Sequence, residues 1–344
     1  MSVLFFLSSG LFLGWSLGAN DAANVFGTAV GARMIRFRTA ALICGVFVVI
    51  GATVGGAGAT GTLGALGAVD ALSGAFLVAL AAAVTVFWMS RLSLPVSTSQ
   101  AIVGAIVGWN LFAGEPTDTA VLVKIVLTWF ACPLLAAAVA VVLYLALRSL
   151  FGVLGLHLFR IDLLTRVGLV IVGAFGAYSL GANNIANVMG VFVESVDLPV
   201  LRVVGLEIGG ARQLFFLGSL AIAVGVATYS RRVMETVGSG LLALNPQAAL
   251  VAVLANALVL FVFSSQGLES WLVGHGLPAL PLVPVSSTQA VVGAVLGIGL
   301  LRGGHGIRYR LLGGIGAGWV LTPVAAGGLA FGMLFVFQNL LAVG

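Results

Sequence analysis

Two copies of a short polar string, each set in an otherwise apolar stretch, hold the residues of this chain best suited to chemistry: GANDAANVFG at 18–27 and GANNIANVMG at 181–190. Asp21 with Asn20 and Asn24 in the first copy, and Asn183, Asn184 and Asn187 in the second, offer carboxylate and amide oxygens. Such hard ligands suit an alkali cation. An ionisable group like Asp21 within an apolar span is costly enough that a functional role is the default reading. Gly18 and Gly181 stand just ahead and would let the backbone unwind, freeing carbonyls for a cation and amides for an anion. On a purely structural reading the asparagines would only bridge helices.

A second matched pair follows, PVSTSQAIVGAIVG at 95–108 and PVSSTQAVVGAVLG at 284–297. Pro95 and Pro284 read as helix starts, because a first helical turn needs no amide donor there. Ser97, Thr98 and Ser99, with Ser286, Ser287 and Thr288, then place hydroxyls beside the free amides of a helix N-terminus, which is a ready anion site. A single copy could be an N-cap and no more. Two copies, each in register behind a GAN string, argue for a shared role.

The elements that carry these strings are predicted from composition and hydropathy. The chain has 344 residues, 61% hydrophobic and 7% charged, whereas soluble domains carry roughly a quarter charged. Lipid is the solvent that such a surface fits, and no nucleic-acid partner follows from the +5 charge. Apolar segments fall at about 2–30, 39–59, 72–90, 94–112, 120–148, 165–193, 209–229, 247–265, 284–301 and 311–339. The predicted fold is therefore an all-α polytopic membrane protein of about ten (10–12) transmembrane segments, with the first and sixth broken by GAN strings and the fourth and ninth re-entrant or spanning.

Charge alternates along the connections. Arg33, Arg36 and Arg38 follow the first span, Asp70 the second, Arg91 the third, Glu115 and Asp118 the fourth, and Arg148, Arg160 and Arg166 the fifth. Beyond that, Glu194 and Asp197, Arg231 and Arg232, Glu269, and finally Arg302, Arg308 and Arg310 continue the pattern. The positive-inside rule then puts both termini outside. The loop with Arg202, Glu207 and Arg212 fits least well, and Glu207 is expected to pair with one of those arginines.

The repeated strings keep their order, and a third echo, Trp129 with Pro133 against Trp319 with Pro323, follows each set. The chain reads as a duplicated unit, residues 1–160 and 161–344. With about five crossings in each unit, the halves must face opposite ways, which is the inverted-repeat plan in which matched broken helices meet at the bilayer midplane.

These residues resemble the inorganic phosphate transporter (PiT) family, which also includes sulfate permeases, over essentially the whole chain and through both GAND-type and both PVS[ST]-type motifs. The resemblance implies a symporter moving phosphate with sodium or protons across the cytoplasmic (inner) membrane of a prokaryote. It implies an anion site formed by Asp21, Asn24, Ser97, Thr98, Ser99, Asn184, Asn187, Ser286, Ser287 and Thr288. The coupling cation would take oxygens from Asn20, Asp21, Asn24, Asn183, Asn184 and Asn187. No cofactor is expected, and a homodimer is a candidate assembly. Two departures stand out: Asn184 occupies a position that is usually Asp in family phosphate carriers, and Gln100 and Gln289 end hydroxyl motifs that commonly end in His. A protonated phosphate carries an O–H donor and wants an acceptor, whereas sulfate is content with donors. Losing one Asp tilts toward sulfate; keeping Asp21 keeps phosphate feasible.

Moving a dianion inward against about 100 mV costs about 4.6 kcal/mol, at about 2.3 kcal/mol per elementary charge. Two co-transported cations would cancel that term and a third would drive uptake. An anion channel is the rival class, though Asp21 is hard to place on an anion path without a cation. An enzyme is disfavoured because paired carboxylates, nucleophile–base pairs and nucleotide-binding signatures are missing from the sequence. Cys44 and Cys132 read as apolar packing residues, His157, His275 and His305 as surface groups, and Gly51 with Gly55 as a close helix contact.

Overall fold

Apolar runs bounded by Gly, Pro and charge become helices at nearly the expected places. The computed structural model describes residues 3–341 except 68, 70, 93–95, 204–205 and 238–243, so Asp70 and Pro95 lie outside the described residues. In chain order the helices are α1 (Val3–Asp21), α2 (Ala23–Gly31), α3 (Phe37–Gly55), α4 (Ala57–Leu66), α5 (Leu72–Arg91), α6 (Thr98–Ala113) and α7 (Thr119–Leu154). They continue as α8 (Leu158–Met189), α9 (Gly210–Val237), α10 (Pro246–Ser264), α11 (Gln266–Gly274), α12 (Ser287–Leu301) and α13 (Tyr309–Val336). The expected boundary at residue 160 falls in the first turn of α8.

Among the described residues, seven units are long and apolar enough to cross a membrane: α1 with α2, α3, α5, α7, α9, α10 and α13. The helices α6 and α12, of 16 and 15 residues, are apolar but shorter. The 32-residue α8 carries Arg160, Asp162 and Arg166 in its first part and the second GAN string at its end. Large apolar side chains on α7 and α13 face outward, with Phe130 and Leu134 68% and 71% exposed and Val320 and Val324 71% and 67% exposed. Side chains of that kind in such numbers on an outer surface require a lipid surround.

The fold is not wholly helical. Strands β1 (Leu201–Val203) and β2 (Leu206–Ile208) form an antiparallel hairpin that pairs Arg202 with Glu207 in register. Their side chains form the expected ion pair, at 2.9 Å between Arg202 Nη2 and Glu207 Oε1, and both are well exposed. Water screens such a pair, so its contribution to stability is small.

Helix starts follow their caps. Asp118 Oδ1 accepts from the amides of Ala120 and Val121 at 2.8 and 3.0 Å, and Asn245 Oδ1 from that of Ala248 at 2.9 Å, with Pro246 in the first turn of α10. Pro284, by contrast, stands two residues ahead of the N-cap Ser286. The expectation that it opens the helix is corrected: it keeps the preceding residue extended and stops the helix from growing backward.

Four close crossings each set a motif-bearing helix against a neighbour without a GAN or hydroxyl string. A Cβ at Gly18 of α1 would run into the Ile222 carbonyl of α9, and one at Gly225 of α9 into the Trp15 carbonyl. The matched crossing sets Gly181 of α8 against the Val48 carbonyl of α3, and Gly51 of α3 against the Tyr178 carbonyl. Likewise Gly104 of α6 meets the Pro323 carbonyl of α13, and Gly293 of α12 meets the Pro133 carbonyl of α7. Contacts one turn apart rise together, as Gly14 meets Gly218 and Gly18 meets Ile222, Gly51 meets Tyr178 and Gly55 meets Ala182, Gly104 meets Pro323 and Gly108 meets Gly327, and Gly293 meets Pro133 and Gly297 meets Ala137, so the partners run parallel. The reading of Gly18 and Gly181 as points where the backbone unwinds is thereby corrected. Both lie inside helices, and they are glycine because another helix backbone leaves no room for a methyl.

Candidate functional site

The starts of α6 and α12 bring the polar strings together. Ser97 and Ser286 have extended backbones and act as N-caps, their Oγ atoms accepting from the amides of Gln100 at 3.4 Å and Gln289 at 3.3 Å. The first intrahelical bonds run from Ala101 to the Ser97 carbonyl and from Ala290 to the Ser286 carbonyl. The amides of Thr98, Ser99, Ser287 and Thr288 precede those bonds and lie at the positive ends of the helix dipoles. Each start is tied to the other: Ser99 Oγ donates to the Val285 carbonyl at 3.0 Å, and Thr288 Oγ1 to the Val96 carbonyl at 3.3 Å.

Around this pair lie the two GAN strings, each bonded to the hydroxyl string from the opposite end of the chain. Asp21, 3% exposed, accepts from Ser287 Oγ at 2.8 Å and from Asn20 Nδ2 at 2.9 Å. Asn24 Nδ2 donates to Ser287 Oγ at 3.0 Å and to Thr288 Oγ1 at 3.2 Å. On the other side Asn187 Nδ2 donates to Ser99 Oγ and to Asn184 Oδ1, both at 3.0 Å. Asn183 Nδ2 donates to Asn184 Oδ1 at 3.2 Å and to the Val285 carbonyl at 2.7 Å, while the Val285 amide donates back to Asn183 Oδ1 at 3.1 Å.

Of the twelve residues singled out from sequence, nine are buried and join this network or cap its helices. Asn20 and Thr288 are also in the network but half-buried. Thr98 is buried at the same place, yet its Oγ1 has no hydrogen-bond partner within the protein. The helix is interrupted for one residue at Ala22, between α1 and α2, with helical dihedrals kept there, whereas the second string runs through α8 without interruption and turns to a 3-10 geometry only at Gly190–Phe192. The expectation of two broken helices is therefore met at one string only. A continuous hydrogen-bond ladder through Asn184 supplies no free carbonyls of the kind envisaged for a cation there.

Two features escaped the sequence reading. Asn256, fully buried on α10, donates from Nδ2 to the Asn24 carbonyl at 3.3 Å. An asparagine in the middle of an apolar span was itself the signal. In addition, Ser-x-x-Gln at 97–100 and 286–289 has the form of a capping box, in which the glutamine side chain normally reaches back to the cap amide. Here Oε1 of both Gln100 and Gln289 is buried without a partner, so only the serine half of each box is made. The site thus holds one formal negative charge, Asp21, among hydroxyls, carboxamides and helix N-terminal amides. It can offer oxygens to a small cation and N–H and O–H donors to an oxyanion.

The same fold is found in a solved structure titled as the sodium-dependent phosphate transporter, with a TM-score of 0.77, 22% identity, and coverage of 99% of this chain and 100% of that one. A Thermococcus kodakarensis protein carrying a phosphate permease name is 30% identical over 97% of each chain. A similarly named Pyrococcus horikoshii protein is 28% identical over 99% of this chain and 98% of its own. One from Haemophilus influenzae is 26% identical over 96% and 95%. Helices of this length and apolarity around a buried polar centre define an integral multi-pass membrane protein. The chain belongs to the phosphate transporter family, whose profile matches residues 17–330.

Proposed function

We propose that this protein is a cation-coupled symporter that imports inorganic phosphate across the cytoplasmic membrane of a prokaryote, with both termini outside. Residues 1–160 and 161–344 act as inverted repeats whose matched strings meet near the bilayer midplane. The observation that carries the reading is the crossed network, in which Asp21 and Asn24 bond the hydroxyl string at 287–288 while Asn187 bonds that at 99. Oxyanion binding falls to Ser97, Thr98, Ser99, Ser286, Ser287, Thr288, Asn24, Asn184 and Asn187, aided by the amides of two helix starts. Asp21, with oxygens of the asparagines beside it, holds the cation that makes the anion welcome. Sodium is the first candidate for that cation, because the structural neighbour is titled sodium-dependent. Alternating access follows from rocking one set of crossed helices against the rest.

The test is uptake of labelled phosphate and labelled sulfate into proteoliposomes, with and without an inward sodium gradient and then a proton gradient. Concentrative phosphate uptake under one of the two gradients is expected. Sulfate uptake alone would reassign the cargo, and flux indifferent to every cation gradient would make the protein a channel.

The caps give a subtler prediction. Ser97→Ala or Ser286→Ala removes an N-cap acceptor worth about 1 kcal/mol and a hydroxyl beside the anion. Each variant should raise half-saturation for phosphate more than that for the cation in the same liposomes. An equal rise in both would mean that the hydroxyl serves only its helix.

A further inference from the structure

The two GAN strings look alike in sequence, but their hydrogen bonds leave opposite groups unpaired. Backbone atoms fix the orientation of the second string, since an amide N–H and a carbonyl cannot exchange roles as the two ends of a carboxamide can. The Val285 amide donates to Asn183 Oδ1 and the Val285 carbonyl accepts from Asn183 Nδ2. Asn183 must therefore turn its NH2 toward Asn184, which must answer with Oδ1. Ser99 spends its proton on the Val285 carbonyl, so Asn187 must approach Ser99 with Nδ2, and the same nitrogen also donates to Asn184 Oδ1. Asn184 Oδ1 then has both lone pairs engaged. Asn184 Nδ2, with two protons, is left buried without a partner, as are Thr98 Oγ1 and Asn187 Oδ1.

At the equivalent corner of the first string the reverse holds. Asp21 presents two carboxylate oxygens, each taking a single donor, Asn20 on one and Ser287 on the other. Each oxygen keeps lone-pair capacity and the group keeps its charge. We infer that the two corners have divided the work: Asp21 supplies the one carboxylate that holds a coupling cation, whereas Asn184 donates through Nδ2 directly to the oxyanion. It follows that the chain couples each anion to one cation fewer than it would with a carboxylate at position 184. A free N–H donor at position 184 repels a cation and the Asn184 oxygen is already filled, while the one unpartnered oxygen nearby in the string, Asn187 Oδ1, is neutral and brings no charge to hold one. The same donor satisfies an anion oxygen without any charge to be carried back. The inference rests on the symport reading.

Its test measures stoichiometry directly, in proteoliposomes holding the full chain, as the cation gradient at which net flux of labelled phosphate vanishes against a fixed anion gradient. Asn184→Asp is expected to raise the cation-to-anion ratio by one. An unchanged ratio in an Asn184→Asp protein that still transports would overturn the inference while leaving symport intact. If the parent chain shows no cation-dependent flux, the symport reading falls and this inference with it. Asn184→Ala removes the donor and adds no charge, and gives a second readout should Asn184→Asp not transport. It should keep the ratio and raise phosphate half-saturation roughly ten- to hundred-fold, the range for loss of one hydrogen bond to a charged group. Unaltered half-saturation in that variant would remove the donor role.

Discussion

Asp21→Asn is expected to abolish concentrative phosphate uptake while leaving membrane insertion and purified yield intact. Asp21 is the one formally charged residue in the crossed network, buried and held by Ser287 and Asn20. On the proposed mechanism, replacing it removes the charge that holds the cation, not the shape of the site. Without compensating cations, a dianion is kept out by about 4.6 kcal/mol against about 100 mV, a depletion of roughly a thousandfold at equilibrium. The accumulation ratio driven by a cation gradient should collapse by that order. Exchange of internal for external phosphate at zero potential should fall less, since the hydroxyls and helix-start amides remain. The fold already tolerates a carboxamide at the equivalent corner, Asn184, so misfolding is not the expected outcome. Full accumulation by Asp21→Asn, measured with labelled phosphate under an inward sodium gradient, would remove coupling from this residue.

The legible part of this molecule was the part in which polarity contrasts with its surroundings. Asn20, Asp21, Asn24 and their later copies stand out because an apolar span makes every polar residue expensive, and repetition marks them a second time. The same contrast marks Asn256, but as a single copy it was passed over. Hydropathy also placed most helices to within a few residues, from α3 at Phe37–Gly55 to α10 at Pro246–Ser264, although α7 and α9 run on past their expected ends and α8 begins well before its expected start. It missed α4 and α11, which are short, and the hairpin of β1 and β2, whose three-residue strands leave almost no alternation to read.

What sequence could not give was the direction of hydrogen bonds. Asn183 and Asn20 are the same residue type in matched positions, yet one is clamped to Val285 by two backbone bonds and the other is half-buried against Asp21. The polarity left over at Asn184 follows from that clamp, which depends on where an extended strand ahead of α12 passes the end of α8. Glycine was ambiguous in a similar way. Its freedom in φ and its lack of a side chain are separate properties, and the sequence does not say which is in use. At Gly18 and Gly181 the φ values are helical and the missing side chain is what matters, a fact visible only once α9 and α3 are in place.

That distinction yields the second large effect. Gly104→Ala and Gly293→Ala should each destabilise the detergent-solubilised protein strongly and to a similar extent. In both cases the added methyl meets not a flexible side chain but the backbone of Pro323 or Pro133, with the proline Cα 2.6 Å away. Two helix axes must then separate, and overpacking that cannot be relieved by a rotamer change costs about 1–3 kcal/mol or more. Gly332→Ala, on α13 with nothing within 4 Å, is the control. It should be neutral or stabilising by about 1 kcal/mol, because alanine is the better helix former. Thermal unfolding of the three variants, followed by tryptophan fluorescence, separates the cases. If Gly104→Ala melts with Gly332→Ala, the close parallel crossing of α6 and α13 is wrong. If Gly104→Ala and Gly293→Ala fall together and the double variant falls by the sum, the two crossings are independent copies of one joint. Each joint sits little more than a turn beyond a hydroxyl string, at the helix start proposed to bind the anion. A crossing that admits no methyl also admits little sliding, so any motion that opens the site must carry α6 with α13, and α12 with α7, as rigid pairs.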